Sequence, residues 1–356
     1  MGPVSTAGWF RNRGEMMAYF DPPPFFPSRW YRGGALQTVA SLRRPAIAAP
    51  SSTKHELPLS DGDRIVLHQS GNGDGKALLL FHGLSGCHQS PYMIRWTSRF
   101  YQAGWTVYRV DGRGCGDARD LARGISHAGR SEDVQAAFEF VAERHPSALL
   151  HGIGVSLGGN QLLRMLGHLP SDDKTTPEWA DRIAKVAAVC PPIDLARCCK
   201  NMLRPGRRIY NRYFIRALLR GLPDQVRNRS DFQKAIAGRL PRTLYELDDR
   251  LTAPLSGFEN ADDYYLRCSS IGVLSQNRWP TLLIASEDDP IVPVGCFAEL
   301  ALPSTTQLLV TPTGGHAGFV DRLGGSWLDE CLYGWLEVAS NVAENGQVAE
   351  SRRLPN

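Results

Sequence analysis

Short, continuous apolar runs that stop on glycine or a polar turn constrain this chain more than any other feature. Ala77-Leu-Leu-Leu-Phe81 ends at His82-Gly83, Thr106-Val-Tyr-Arg-Val110 at Asp111-Gly112, and Ala148-Leu-Leu-His-Gly-Ile-Gly154 just before Ser156. Strands apolar along their whole length are buried on both faces, as in a parallel sheet covered by helices. Arg64–His68 reads as a further strand. Helical stretches fall between these runs, roughly at 90–103 and 131–145; the second opens Ser131-Glu-Asp-Val, a Ser cap with acids in the first turn. Strand–helix alternation predicts an α/β fold with helices on both faces of a mostly parallel sheet.

Residues 181–190 read as a helix-to-strand passage, and the sheet resumes at Thr281–Ala285 and Gln307–Val310. Between them, 192–270 is rich in Arg, Tyr and Leu and reads as a helical insertion. Residues 1–50 are rich in Pro and Arg with little periodicity; Asp21-Pro22-Pro23-Pro24 must be extended. The expected organisation is an N-terminal arm (1–50), a core (51–191 and 271–340), a helical cap insertion (192–270) and a C-terminal tail (341–356), with a helix near 326–340 closing the core.

Of the 356 residues, 42% are hydrophobic and 21% charged, the balance of a globular protein with a sizeable core. The net charge of +4 and the lack of Lys/Arg interleaved with aromatics give no footprint for nucleic acid. The eight cysteines are scattered without CxxC or zinc spacing, which reads as free thiols in a reducing compartment. Met1–Phe20 carries Arg11 and Arg13 and no apolar run after them, unlike a signal peptide, and no window approaches a membrane span. A cytoplasmic protein is expected. The arginines of 204–220, Arg207-Arg208 among them, form a basic helical face read as solvated, with peripheral contact to anionic head groups left open.

The chemistry begins at Gly154-Val155-Ser156-Leu157-Gly158, a G-x-S-x-G pattern where a buried strand passes into a helix. Such a turn is sharp and strained, and its glycines leave room for neighbours while the serine hydroxyl projects above the sheet. A serine hydroxyl is too weak an acid to act unaided and needs a base. His316, in Thr313-Gly-Gly-His-Ala-Gly-Phe319, follows the last strand; His82, His88, His127 and His151 compete, but the chain order serine, acid, histidine favours His316. The carboxylate that orients the base is Asp289 in Glu287-Asp-Asp-Pro290, with Asp288 as the alternative. The oxyanion donors are the backbone N–H groups of Leu157 and of Leu84 in His82-Gly-Leu-Ser-Gly86. Arg113-Gly-Cys-Gly116 lacks the Lys-Ser/Thr of a phosphate loop and reads as a tight strand exit.

Together these motifs resemble the YheT-like α/β-hydrolases, the AB-hydrolase 4 group that also holds the ABHD-type proteins and the fungal medium-chain ester synthase/esterases. The resemblance spans roughly 26–338. It adds Ser90-Pro-Tyr92, His127-Ala-Gly129 with Glu132-Asp133, Asp248-Asp249, Thr252-Ala-Pro254, Gly257-Phe258, Asp263-Tyr-Tyr265 and Ser269-Ser270 to the residues above. Leu36-Gln37-Thr38 resembles the family's N-terminal element, in which His usually precedes Leu; here that residue is Ala35. The resemblance implies an eight-stranded, mostly parallel sheet with a helical cap, and hydrolysis of short- to medium-chain acyl esters, monoacylglycerol or lipid esters included. Neither cofactor nor metal is called for. Acyl transfer to an alcohol with the same triad and a non-catalytic binding role are the alternatives. Tyr210, Tyr213, Phe214, Tyr264 and Tyr265 are candidates for an acyl pocket or for plain core.

Overall fold

The computed structural model describes residues 20–169, 176–298 and 300–337. The readings of the first 19 residues and of the 341–356 tail lie outside them. Eight strands form one sheet: β1 (Thr53–Pro58), β2 (Arg64–Ser70), β3 (Lys76–Phe81), β4 (Thr106–Asp111), β5 (Leu149–Val155), β6 (Ile183–Val189), β7 (Thr281–Ser286) and β8 (Thr306–Thr311). Their order is β1-β2-β4-β3-β5-β6-β7-β8. β2 runs antiparallel to both β1 and β4, and every other neighbouring pair is parallel.

Alternation along each strand divides the core in two. Leu78 and Leu80 face one side, where α2 (Pro91–Gln102) contributes Met93, Trp96 and Phe100 and α12 (Trp327–Glu337) contributes Leu328, Leu332 and Trp335. Ala77, Leu79 and Phe81 face the other, against Val134, Phe138 and Val141 of α3 (Ser131–Arg144) and Leu162, Met165 and Leu166 of α4 (Leu157–His168). The apolar runs are continuous because both faces are covered. Between β6 and β7 the chain forms α5 (Leu195–Met202), α6 (Arg208–Gly221), α7 (Asp224–Arg227), α8 (Ser230–Ile236), α9 (Leu244–Leu247), α10 (Ala253–Leu255) and α11 (Ala261–Cys268), with no strand among the described residues.

The 181–190 passage runs as read, a short 3-10 helix (Glu178–Arg182) leading into β6. Two local readings change. β1 escaped notice because it is an edge strand whose residues are exposed or half-buried, so it carries no apolar run. Ser131 does not cap α3: Arg130 occupies that position, and the Ser131 hydroxyl donates to the Gly129 carbonyl at 3.4 Å.

The N-terminal segment contains the short helix α1 (Gly34–Ala40), fixed on the loop after β8. Gln37 accepts from the Val320 N–H at 2.7 Å and donates to the Val320 and Tyr31 carbonyls. The Thr38 hydroxyl accepts from the His316 N–H at 2.8 Å and donates to the Gly34 carbonyl. The approach is too close for side chains: a Cβ on Gly318 would stand 2.1 Å from the Gln37 carbonyl oxygen, and one on Gly315 2.3 Å from that of Gly34. No helix among the described residues is long and apolar enough to cross a membrane.

Two buried histidines make stability depend on pH. Burial, with nearby arginines, lowers His127 to about 3, and burial lowers His151 to about 3. In the unfolded chain both protonate near 6.5, so the unfolded state binds more protons between pH 6.5 and 3 and stability falls as pH falls through that window. At pH 5 each histidine should cost about 2 kcal/mol relative to pH 7. Urea unfolding across this range should show the slope, and His151→Gln should reduce it.

Candidate active site

β5 runs directly into α4 through Ser156, which adopts φ 50° and ψ −117°. A non-glycine residue is rarely held there. The Ser156 N–H donates to the Val189 carbonyl at 2.8 Å, and its own carbonyl accepts from the Asn160 N–H at 3.0 Å. The flanking glycines are sterically required: a Cβ on Gly154 would lie 2.5 Å from the Gly158 oxygen, and one on Gly158 2.6 Å from the His82 oxygen. Leu157 opens α4, so its N–H has no intrahelical acceptor.

The loop after β3 passes beside the serine. A Cβ on Gly83 would come within 3.2 Å of the Ser156 Cβ. The Gly83 N–H donates to the Tyr92 hydroxyl at 2.9 Å, and Leu84, the next residue, lines the same cavity as Ser156. His82 donates from Nδ1 to the Gly83 carbonyl and accepts at Nε2 from the Gly112 N–H. Burial lowers its pKa, in keeping with a neutral ring in this role.

Asp111 anchors the same loop, a role the sequence reading missed. Its carboxylate accepts from the His88 N–H (2.6 Å), His88 Nδ1 (2.6 Å), His68 Nε2 (3.2 Å) and the Asp117 N–H (2.9 Å). Burial alone would raise this carboxyl, but the hydrogen bonds from His68 and His88 hold it well below the ordinary carboxylate range. The signal was an acid at the end of an apolar strand. Nothing local tied it to His68 or His88, which come from other segments.

The two acids after β7 do different work. His316 Nδ1 lies 2.8 Å from Asp289 Oδ2, with both side chains buried. The other Asp289 oxygen accepts from the Ile291 and Val292 N–H groups at 2.7 and 3.0 Å. Asp288 instead accepts from the Gly314 and Gly315 N–H groups and from the Ser286 and Thr313 hydroxyls. It holds the loop that carries His316. With Nδ1 engaged by a carboxylate, Nε2 is the nitrogen left for a hydroxyl. Cys190, next after the Val189 that accepts from Ser156, places its sulfur within 4.8 Å of the Asp289 and His316 ligand atoms.

Two adjoining cavities, each about 100 Å³, open beside the serine. Ser156 lines one, with Met202, Phe214, Tyr264 and Tyr265. The other runs along Ile125, Leu219, Leu222 and Phe232, and Leu84, Ser126, Leu157, Leu218 and Thr252 wall both. Of the five candidate aromatics, Phe214, Tyr264 and Tyr265 reach the cavity, Tyr210 packs in the core beside α5, and Tyr213 is exposed. Asp248 also lines the serine's cavity and accepts from the Thr252 and Tyr265 hydroxyls, each at 2.7 Å. Burial pushes its carboxyl up to about 6.

The remaining motifs are structural. Arg113 is buried among Asp61, Asp63 and Asp133, so its guanidinium has no free edge for a phosphate. Asn160 donates to the carbonyls of Ala128 and Cys268 and accepts from the Ser270 N–H, joining the 127–129 and 268–270 segments behind the elbow. His127 and His151 are buried, His127 lining the same cavity as Ser156 and His151 standing within β5. Among the described residues two sets of side chains could hold a metal ion, Cys190/Asp289/His316 and His68/His88/Asp111/Asp117. Asp289 already accepts three hydrogen bonds and Asp111 four.

A family model described as alpha/beta hydrolase fold matches residues 76–323. The chain belongs to the alpha/beta hydrolase family. It is 29% identical over 334 residues to the Escherichia coli (strain K12) protein named "Putative esterase YheT", covering 88% of this chain and 92% of that one. It is 26% identical over 280 residues to "Medium-chain fatty acid ethyl ester synthase/esterase 2" of Saccharomyces cerevisiae, covering 72% of this chain and 60% of that relative. It is 25% identical over 332 residues to the phospholipase ABHD3 of Homo sapiens, covering 87% and 76%. These matches agree with the YheT-like resemblance of the motifs. Among solved structures, the Pyrococcus furiosus esterase Pf2001 superposes with a TM-score of 0.53 at 16% identity, over 82% of this chain and 99% of that one, a likeness of fold.

The acid pair separates by mutation. Asp289→Asn should lower kcat by roughly 10³- to 10⁴-fold while the protein stays folded. Asp288→Asn should instead lower stability by about 1–3 kcal/mol through its lost acceptor, with a much smaller effect on kcat. Steady-state kinetics and thermal unfolding of the two variants check the assignment.

Proposed function

We propose that this protein is a serine hydrolase of carboxylic esters, with Ser156 as nucleophile, His316 as base and Asp289 as the acid that orients the base. The observation that carries the reading is the buried His316–Asp289 pair beside Cys190, the residue after the Val189 carbonyl that holds the strained strand-to-helix turn at Ser156. In this reading Ser156 Oγ attacks the ester carbonyl as His316 Nε2 takes its proton. The N–H groups of Leu84 and Leu157 stabilise the oxyanion, each worth about 3 kcal/mol in the transition state. His316 then protonates the leaving alcohol. Water, deprotonated by the same imidazole, attacks the acyl-enzyme and releases the acid.

The mostly apolar cavities beside the serine support a short- to medium-chain acyl group, and the relatives' names (esterase, ester synthase/esterase, phospholipase) support ester chemistry and lipid esters. We read α5–α11 as a cap (192–270) that closes these cavities over a core of 51–191 and 271–340. The eight free thiols, six of them buried, support a reducing, cytoplasmic setting.

Hydrolysis of p-nitrophenyl esters of two to twelve carbons tests the proposal. Wild type should turn them over with an optimum at short to medium chains, and Ser156→Ala should lose a factor of about 10⁴ or more. A fluorophosphonate probe should label wild type and leave Ser156→Ala unmodified. Turnover that survives in Ser156→Ala would overturn the assignment.

A further inference from the structure

Helix α6 has two faces of unlike chemistry. Phe214 and Leu218 point inward and line the cavities. Outward, Arg208, Arg212, Arg216 and Arg220 recur every fourth residue and are exposed, so they form one stripe. Beside them stand Ile209, 71% exposed, and Tyr213, 51% exposed. No acid occurs between Asp194 and Asp224, and among the described residues none of these four arginines makes an ion pair. Helices at a solvated surface ordinarily intersperse both signs.

A second segment repeats the pattern. Trp30, Val39 and Leu42 are exposed by 87%, 60% and 58%. Arg29, Arg32, Arg43 and Arg44 stand exposed around them, with no acid between Asp21 and Glu56. Both segments border the loop that holds Asp289. A Cβ on Gly34 of α1 would collide with the Asp288 carbonyl, and Arg207 at the head of α6 donates to the Pro290 carbonyl at 3.0 Å.

We propose that these two segments form one surface that seats on an anionic lipid bilayer and brings the mouth of the site to acyl esters held there. The proposal deepens the ester-hydrolase reading by naming where the substrate lies. Arginine pairs with lipid phosphates, and exposed side chains at the same level insert among the acyl chains. Aliphatic Ile209, Val39 and Leu42 suit that insertion, and the exposed Trp30 and Tyr213 suit the head-group level, where amphipathic rings settle at a membrane surface.

Vesicle flotation tests the surface apart from catalysis, using the full-length Ser156→Ala protein with phosphatidylcholine vesicles and with vesicles containing phosphatidylglycerol. Binding should be at least tenfold stronger to the anionic vesicles and should fall as salt rises. The quadruple variant Arg208→Gln/Arg212→Gln/Arg216→Gln/Arg220→Gln should lose on the order of 1,000-fold. Ile209→Ser with Val39→Ser should lose several-fold, and both variants should keep the parent melting temperature. Equal binding to the two vesicle types, no binding to either, or unchanged binding by the quadruple variant would overturn the proposal. So would capture of short duplex DNA as tightly as of anionic vesicles. Hydrolysis of a water-soluble ester by the quadruple variant in the Ser156 background should match wild type. Vesicle binding without any ester hydrolysis would sink the catalytic reading and leave the lipid surface standing.

Discussion

Helix α4 begins so close behind strand β5, and so close against the end of β3, that the backbone between them has one way to turn. Gly158 packs on the carbonyls of Phe81 and His82, and Gly154 packs on Gly158. Ser156 is left in a conformation that costs on the order of 1–3 kcal/mol for a residue with a Cβ. The Val189 and Asn160 backbone bonds hold it there. The parallel sheet makes this contact productive, because β3, β5, β6 and β7 all end on the same side. The loops that carry Leu84, Ser156, Cys190 and Asp289 therefore emerge as neighbours.

Around that turn, positioning falls to groups that do not line the cavities. Asp288 fixes the backbone of the histidine loop so that Asp289 can be given wholly to the imidazole and two N–H groups. Thr38 and Gln37 of α1 grip the same loop from the far end of the sequence. Asp111 gathers His68, His88 and the 112–117 turn beneath the loop that carries Leu84. Gln37 and Asp111 are buried and Asp288 and Thr38 half-buried, each with hydrogen bonds met, the condition under which burying a polar group fixes geometry instead of costing stability.

Above the sheet, α6 and α11 supply Phe214, Tyr264 and Tyr265 to the serine's cavity. Asp248, held by Tyr265 and Thr252, explains why an acid and a tyrosine recur together in the 248–265 segment. The outward side of α6 faces solvent, and among the described residues its arginines make none of the ion pairs that Arg113 makes in the interior.

Much of the fold was legible because burial on two faces writes itself as uninterrupted apolar runs; β3, β4, β5 and β7 were read within a residue or two. β1 was not, since an edge strand with half-solvated residues leaves no such run, and α1 was not, since its two turns gain their order from the loop they grip. At the site, chain order set Ser156, the acids at 288–289 and His316 in sequence, and the glycines of the elbow marked the serine because they are local steric needs. What the sequence could not decide was the division between Asp288 and Asp289, two neighbouring acids of the same chemistry. Only the packed structure aims one at His316 and the other at the Thr313 hydroxyl and the backbone of Gly314 and Gly315. The same holds for Asp111 with His68 and His88. Hydrogen bonds between distant segments depend on where whole strands and loops come to rest, and no local pattern records that.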